Sequence, residues 1–230
     1  MNDLVFTLIR SSRRRTVGIT VNPDNTVTVR APERLTEAAV RKMVEQKAVW
    51  IREKLASNLR SQCGRAPKTY ENGEEFLFLG KAYRLEKVLD GKDVALVDDR
   101  LRVGIPEGLD GKERARLIAL LSDWYRDQAV HILADRILFW RERVNAYPKT
   151  MRVKRLKSRW GSCSNRGNLN FNWLLILAPP SIVDYIVVHE LCHFHHPNHS
   201  AAFWETVRSA LPDYKERRKW LKTNTELLTM

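Results

Sequence analysis

The sequence predicts an α+β protein, on three observations. Short runs rich in Val, Ile, Thr and aromatic residues, punctuated by Gly, Asp and Asn, crowd the chain up to Ile105. Beyond it, long stretches carry apolar residues at three- and four-residue spacing, the period of a helix with one buried face. With 230 residues, 43% of them hydrophobic and 29% charged, the chain is long and apolar enough to bury a core without disulfide support.

The elements follow in order. VGITVNPDNTVTVR (17–30) alternates β-branched residues around the turn cluster NPDN and predicts a hairpin. A helix is expected over 36–59, with Thr36 as its cap and Val40, Met43, Val44, Lys47, Ile51 and Leu55 along one side. FLFLG (76–80), AYRLEKVL (82–89), DVALVD (93–98) and RLRVGI (100–105) read as a small antiparallel meander. PEGLDGK (106–112) reads as a hinge, which divides the chain into a β-rich part with one helix, 1–110, and a second domain, 111–230.

The second domain opens on a helix expected over 112–145. Leu117, Leu120, Leu121 and Trp124 give it an apolar stripe, and Ile132, Ile137, Phe139 and Trp140 add bulk. Met151 and Val153 alternate with Arg152 and Lys154 as in a half-buried strand, and GNLNFNWLLIL (167–177) predicts a second one. Between them Gly161 of WGSC permits a tight bend. Pro179 and Pro180 close that strand, and Ser181 with Asp184 three places on marks the start of a helix. A further helix is expected over 200–211.

Charge and composition narrow the function classes. Lys and Arg number 40 against 27 Asp and Glu, a net charge of +13. They cluster at Arg13 to Arg15, at Arg152 to Arg159 and at Lys215 to Lys219, as solvated faces or as patches that attract polyanions such as nucleic acid. No apolar run approaches the roughly 20 residues needed to span a bilayer, and MNDLVFTLIR lacks the form of a secretion signal, so no membrane partner is expected and the expected location is the cytoplasm. Three widely spaced cysteines fit reduced thiols.

HELCHFHHPNH (189–199) holds five of the six histidines. His189 and His193 stand four apart on one helix face, so their rings can converge on one ion. Zn2+ suits them, since it takes imidazole nitrogens at about 2.0–2.1 Å in a tetrahedral shell. Glu190 lies roughly 100° around the helix, where it flanks such an ion and can act as general base towards a water the cation has acidified.

For a third ligand, His195 points elsewhere and His196 lies roughly 10.5 Å of helical rise from His189. Pro197 disfavours helix at the residue before it, and a chain that turns back there brings His199 to the ion, leaving a fourth position open. Glu205, on the helix that follows, is the rival. His131, alone between Val130 and Ile132, is set aside, as are Cys163 and Cys192. Phe203 and Trp204 are expected to pack one helix on the other.

KSRWGSCSNRGNLNFNWLLILAP (157–179) and VVHELCHFHHPNHSAAFW (187–204) resemble the paired motifs of the YgjP-like metallopeptidase family, with similarity over nearly the whole chain, YENGEEFLFLGKAYRLE (70–86) included. The resemblance implies a zincin-like catalytic core related to SprT-type proteases, with His189, His193 and His199 as metal ligands and Glu190 as the catalytic carboxylate. By fold analogy, residues 168–173 would pair with an extended peptide substrate. Arg159 or Ser162 is a candidate for binding an anionic group or the developing oxyanion. Three classes of function are carried forward: a zinc metallopeptidase acting on peptide or protein, a metal-dependent nucleotide phosphohydrolase of pyrophosphatase type, and a nucleic-acid-binding protein with a vestigial metal site.

Overall fold

In a computed structural model the described residues are 4–22, 24–63, 68–89, 91, 93–106 and 111–230. The chain forms two compact units, Met1–Pro67 and Lys68–Met230. In the first, strands β2 (Gly18–Val21) and β3 (Val27–Pro32) form the expected antiparallel hairpin, its turn held by Asn22 N–H donating to Thr26 O at 2.8 Å. An unexpected strand, β1 (Thr7–Ser11), lies parallel to β3 on its other side. Thr36 caps the first helix, accepting from Ala39 N. The single helix expected is two, α1 (Glu37–Gln46) and α2 (Ala48–Cys63), because Lys47 at φ −103°, ψ 8° interrupts the helical path. Val27, Val29, Ala31, Val40, Val44 and Ile51 make this unit's core.

The second unit begins with four strands: β4 (Glu75–Phe78), β5 (Lys81–Leu89), β6 (Val94–Val97) and β7 (Arg100–Ile105). Their order is β4-β5-β7-β6 and β5 runs parallel to β7, so the sheet is not the simple meander expected. Burial explains the change. Leu101, Val103 and Ile105 of β7 are buried and take a central place, whereas β6 alternates between exposed and half-buried residues and takes an edge. Phe76, Leu85, Leu101 and Val103 share one core with Leu117, Leu121 and Tyr125 of helix α3 (Glu113–Val144). The chain therefore divides at Pro67 and Lys68, before this sheet, rather than after residue 110. Residues 107–110 of the expected hinge lie outside the described residues.

α3 keeps its expected limits and ends on Asn145 in the left-handed conformation at φ 52°. Its buried stripe runs Leu117, Leu121, Tyr125, Ala129, Leu133, Ile137, Trp140 and Val144, while Phe139 is turned outward beneath the Arg143 guanidinium, 3.8 Å above its ring. A second sheet follows. β8 (Thr150–Lys154), β9 (Gly161–Cys163) and β10 (Asn168–Asn172) order as β8-β10-β9, with β10 parallel to β8 and antiparallel to β9. The strand expected to continue to Leu177 stops at Asn172. WLLIL is a fully buried 3-10 turn, Trp173–Leu177, capped by the Asn172 side chain.

Helix α4 (Pro180–Cys192) starts at Pro180 with Pro179 before it, so Ser181 lies inside the first turn instead of capping it. Asp184 is an anchor: it accepts from Arg136 at 2.5 and 3.0 Å and from Trp140 Nε1 at 3.0 Å, which ties α4 to α3. The β4–β5 turn abuts the start of α4. Leu79 and Gly80 both have positive φ, as a two-residue hairpin of this twist requires, and a Cβ on Gly80 would meet Pro179 at 2.8 Å. Helices α5 (Ala201–Ala210) and α6 (Tyr214–Asn224) complete the unit. The α+β class expected from sequence is the class observed. Among the described residues no helix is long and apolar enough to cross a membrane.

Candidate metal centre

α4 is buried along most of its length, from Ile182 to Cys192, because it lies between α3, α5, α6 and β9. His189 and Glu190 occupy its last turn, and His193 is its C-cap at φ −67°, still in helical conformation, so the four-residue spacing puts both rings on one face. After His193 the chain turns through residues 193–198, earlier than the end near His196 expected from Pro197. That turn carries His199 back to the other two. Ring-centroid separations are 5.0 Å for His189 and His193, and 4.9 Å from His199 to each.

One nitrogen from each of the three rings lies within 4.8 Å of the others, and the Nε2 atoms of His189 and His199 are 2.9 Å apart. A tetrahedral zinc shell needs its nitrogens about 3.3 Å apart, from bonds of about 2.05 Å, so the donor set fits one small cation. His193 Nδ1–H donates to His196 O at 2.9 Å, which fixes that ring and leaves Nε2 as its free donor atom. His189 Nδ1 is buried without a partner among the described residues. Burial, with His193, His199 and Arg218 nearby, lowers the His189 pKa to about 3, and burial lowers that of His199 as well. Both shifts favour the neutral ring, the form that coordinates metals.

An apolar floor supports the cluster. Phe203 of α5 is fully buried, with its ring 4.7–4.9 Å from each of the three imidazoles. Trp204 stacks on His199 at 5.6 Å and on Tyr214 of α6 at 5.4 Å, and Arg218 lies 4.7 Å over the Trp204 ring. Ser200 caps α5 by accepting from Phe203 N, so the residue after His199 fixes where α5 begins.

Asn172 and Glu190 are the buried polar side chains among the described residues. Asn172 accepts from Leu174 N and donates to Leu156 O, which accounts for it. Among the described residues no comparable hydrogen bond holds the Glu190 carboxylate. It packs instead on the backbone of Gly161, where a Cβ would stand 2.6 Å from Oε1 and 2.7 Å from Cγ. Burial pushes Glu190 up to about 8, with the Arg159 guanidinium pulling the other way.

A cleft of about 300 Å³ lies between β9 and α4. Arg159, Gly161, Ser162 and Cys163 line one wall; His189, Glu190, His193 and His199 line the other. Among the described residues β9 pairs only with β10, which leaves its outer edge without a strand partner there, while both edges of β10 are taken by β8 and β9. Residues 168–173, expected to receive an extended peptide, have no open hydrogen-bonding edge for one, and β9 does.

The remaining candidates fall outside the cluster. His195 donates Nε2–H to Val144 O at 2.8 Å, and His196 bonds Thr206 Oγ1 at 3.1 Å. His131 is exposed on α3. Glu205 is exposed and pairs with Arg208 at 2.6 Å. Cys192 is fully buried, its thiol raised to about 12 by burial; Cys163 is raised to about 11 by burial and by Glu190. What sequence reading missed is the contact of Gly161 with Glu190 and the edge position of β9. The one sign in the sequence was a glycine inside a short polar run, which equally suits a bend.

The chain matches the family described as YgjP-like, metallopeptidase domain, over residues 15–224. Among solved structures it is similar to the metallopeptidase zymogen abylysin of Pyrococcus abyssi, at 22% identity and a TM-score of 0.37, over 41% of this chain and 94% of that one. No curated protein matches.

Proposed function

The chain belongs to the YgjP-like metallopeptidase domain family, and from that premise we propose that it is a zinc-dependent peptidase in which His189, His193 and His199 hold the ion and Glu190 is the general base. The observation that carries the reading is a buried carboxylate, 5% exposed, one residue from the first of three converging imidazoles and facing a cleft under a free strand edge. A bound zinc ion would polarise the scissile carbonyl and acidify a water.

The chain's own residues do the rest. The free edge of β9 offers backbone donors and acceptors to an extended peptide and lays it across the cleft. Glu190, buried on α4 against the backbone of Gly161, takes the proton of the attacking water and passes it to the leaving amine. His193 keeps its ligand nitrogen aimed inward through its hydrogen bond to His196 O. The same proposal places the protein in the cytoplasm, in keeping with Cys163 and Cys192 both being free thiols.

The test is cleavage of a peptide library by zinc-loaded protein, beside a nucleotide panel, with Glu190→Gln as control. Peptide cleavage that is lost in Glu190→Gln, while zinc remains bound at one equivalent, is the expected result. Cleavage that survives Glu190→Gln, or turnover confined to nucleotides, would overturn the reading.

A further inference from the structure

The second sheet is unusual in its charge. Between Glu142 and Asp184 the chain has no acidic residue and eight Lys or Arg. This interval contains β8, β9 and β10 entire. One face of the sheet, carrying Met151, Val153, Leu169 and Phe171, turns inward against the core. The register assigns Arg152, Asn170 and Ser162 to one row across the other face, and Asn170 Nδ2 donates to Ser162 Oγ at 3.3 Å. Thr150 donates to Asn168 Oδ1 in the next row, and Lys154 stands beyond.

The row ends in the cleft, since Ser162 and Arg159 line it. Arg159 is exposed, and its field reaches Glu190. Among the described residues neither Arg152, Lys154, Lys157 nor Arg159 forms an ion pair. A like-charge concentration without counter-ions raises the energy of the free surface and is relieved by an anionic ligand. A second guanidinium, Arg218, lies 4.7 Å over the Trp204 ring, and its charge reaches His189 and His199.

We infer that the β9 wall of the cleft is a subsite for acidic side chains, so that the polypeptide substrate is selected for Asp or Glu beside the bond presented to the metal centre, with Arg159 as the main determinant. This rests on the peptidase reading and deepens it. An extended chain on the β9 edge directs alternate side chains to the same side of the sheet, and those that reach Arg159 meet a fork of donors matched to a carboxylate. A nucleic acid is the poorer occupant of this face. The outer sides of the three strands present Thr, Arg, Lys, Asn and Ser and no aromatic ring on which a base could stack.

The test measures binding, apart from catalysis. Full-length protein is kept in EDTA and titrated, at low ionic strength, into a fluorescein-labelled peptide of alternating Glu and Val, its Gln counterpart, and a single-stranded oligodeoxynucleotide. The expected result is about tenfold tighter binding of the Glu peptide than of the Gln peptide, falling to about threefold in Arg159→Gln and unchanged in Lys215→Gln, whose cation lies on exposed α6. Equal binding of the two peptides, or a preference that stays at about tenfold in Arg159→Gln, would overturn the inference. So would an oligonucleotide that binds more tightly than the Glu peptide and is released by Arg159→Gln. Cleavage plays no part here, so failure of the peptidase reading shows only in the library assay.

Discussion

Gly161→Ala perturbs the metal centre without touching a proposed ligand. The added Cβ would lie 2.6 Å from Glu190 Oε1, 2.7 Å from Cγ and 2.9 Å from Cδ, where ordinary contact begins near 3.4 Å. Either the carboxylate or strand β9 must therefore move by about 0.8 Å. Three of the crowded atoms belong to a side chain that is itself buried, so neither partner has open space to retreat into. Overpacking of this kind costs about 1–3 kcal/mol. Displacement of a catalytic group by close to 1 Å costs on the order of 100-fold in turnover.

The assay is a double-mutant cycle by urea unfolding in EDTA on wild type, Gly161→Ala, Glu190→Ala and the double variant. Truncating Glu190 removes all three crowded atoms, so Gly161→Ala should cost less than about 0.5 kcal/mol in that background, with a coupling energy of about 1–3 kcal/mol. An equal cost in both backgrounds would refute the reasoning, because the glycine would then be needed by its own strand and not by Glu190. No cost in either background would refute it as well.

Other outcomes follow from the same geometry. His199→Ala should weaken zinc binding at least 100-fold in a chelator competition, whereas His195→Ala should leave zinc affinity within a factor of two or so, since His195 bonds Val144 O and faces away from the cluster. Asp184→Ala removes the acceptor shared by Arg136 and Trp140 and should destabilise by about 2–4 kcal/mol in urea unfolding, with Asp184→Asn recovering part of the loss. Glu86, hydrogen-bonded by Arg102 and then Arg100, is held below the usual carboxylate range. Its contribution is present above the unfolded-state pKa near 4.5 and is lost as pH falls through the lower folded value; carboxyl NMR should show that titration, and Arg102→Gln should move it up.

Several elements were legible before any coordinates, because they depend on neighbours three and four residues apart. The Thr36 cap, both limits of α3 and the pairing of His189 with His193 on one helix face are of this kind. Asp184 shows where local reading stops. Three places after Ser181 it has the spacing of a capping partner, yet it bonds Arg136 and Trp140 on a helix far away in sequence. WLLIL likewise reads as a strand by composition, but its five side chains are buried all round and the backbone closes into a 3-10 turn.

The sequence by itself determined that one helical turn would present two imidazoles and a carboxylate together, since i to i+4 geometry is a property of the helix. Only the tertiary structure decided that β9 holds the open edge, that Gly161 lies against Glu190, that β7 slips between β5 and β6, and that the chain divides at Pro67 rather than after residue 110. Strand order and helix docking join residues tens of positions apart. Their choice is made by competition for burial across the whole core, for which no short stretch of sequence carries a signature.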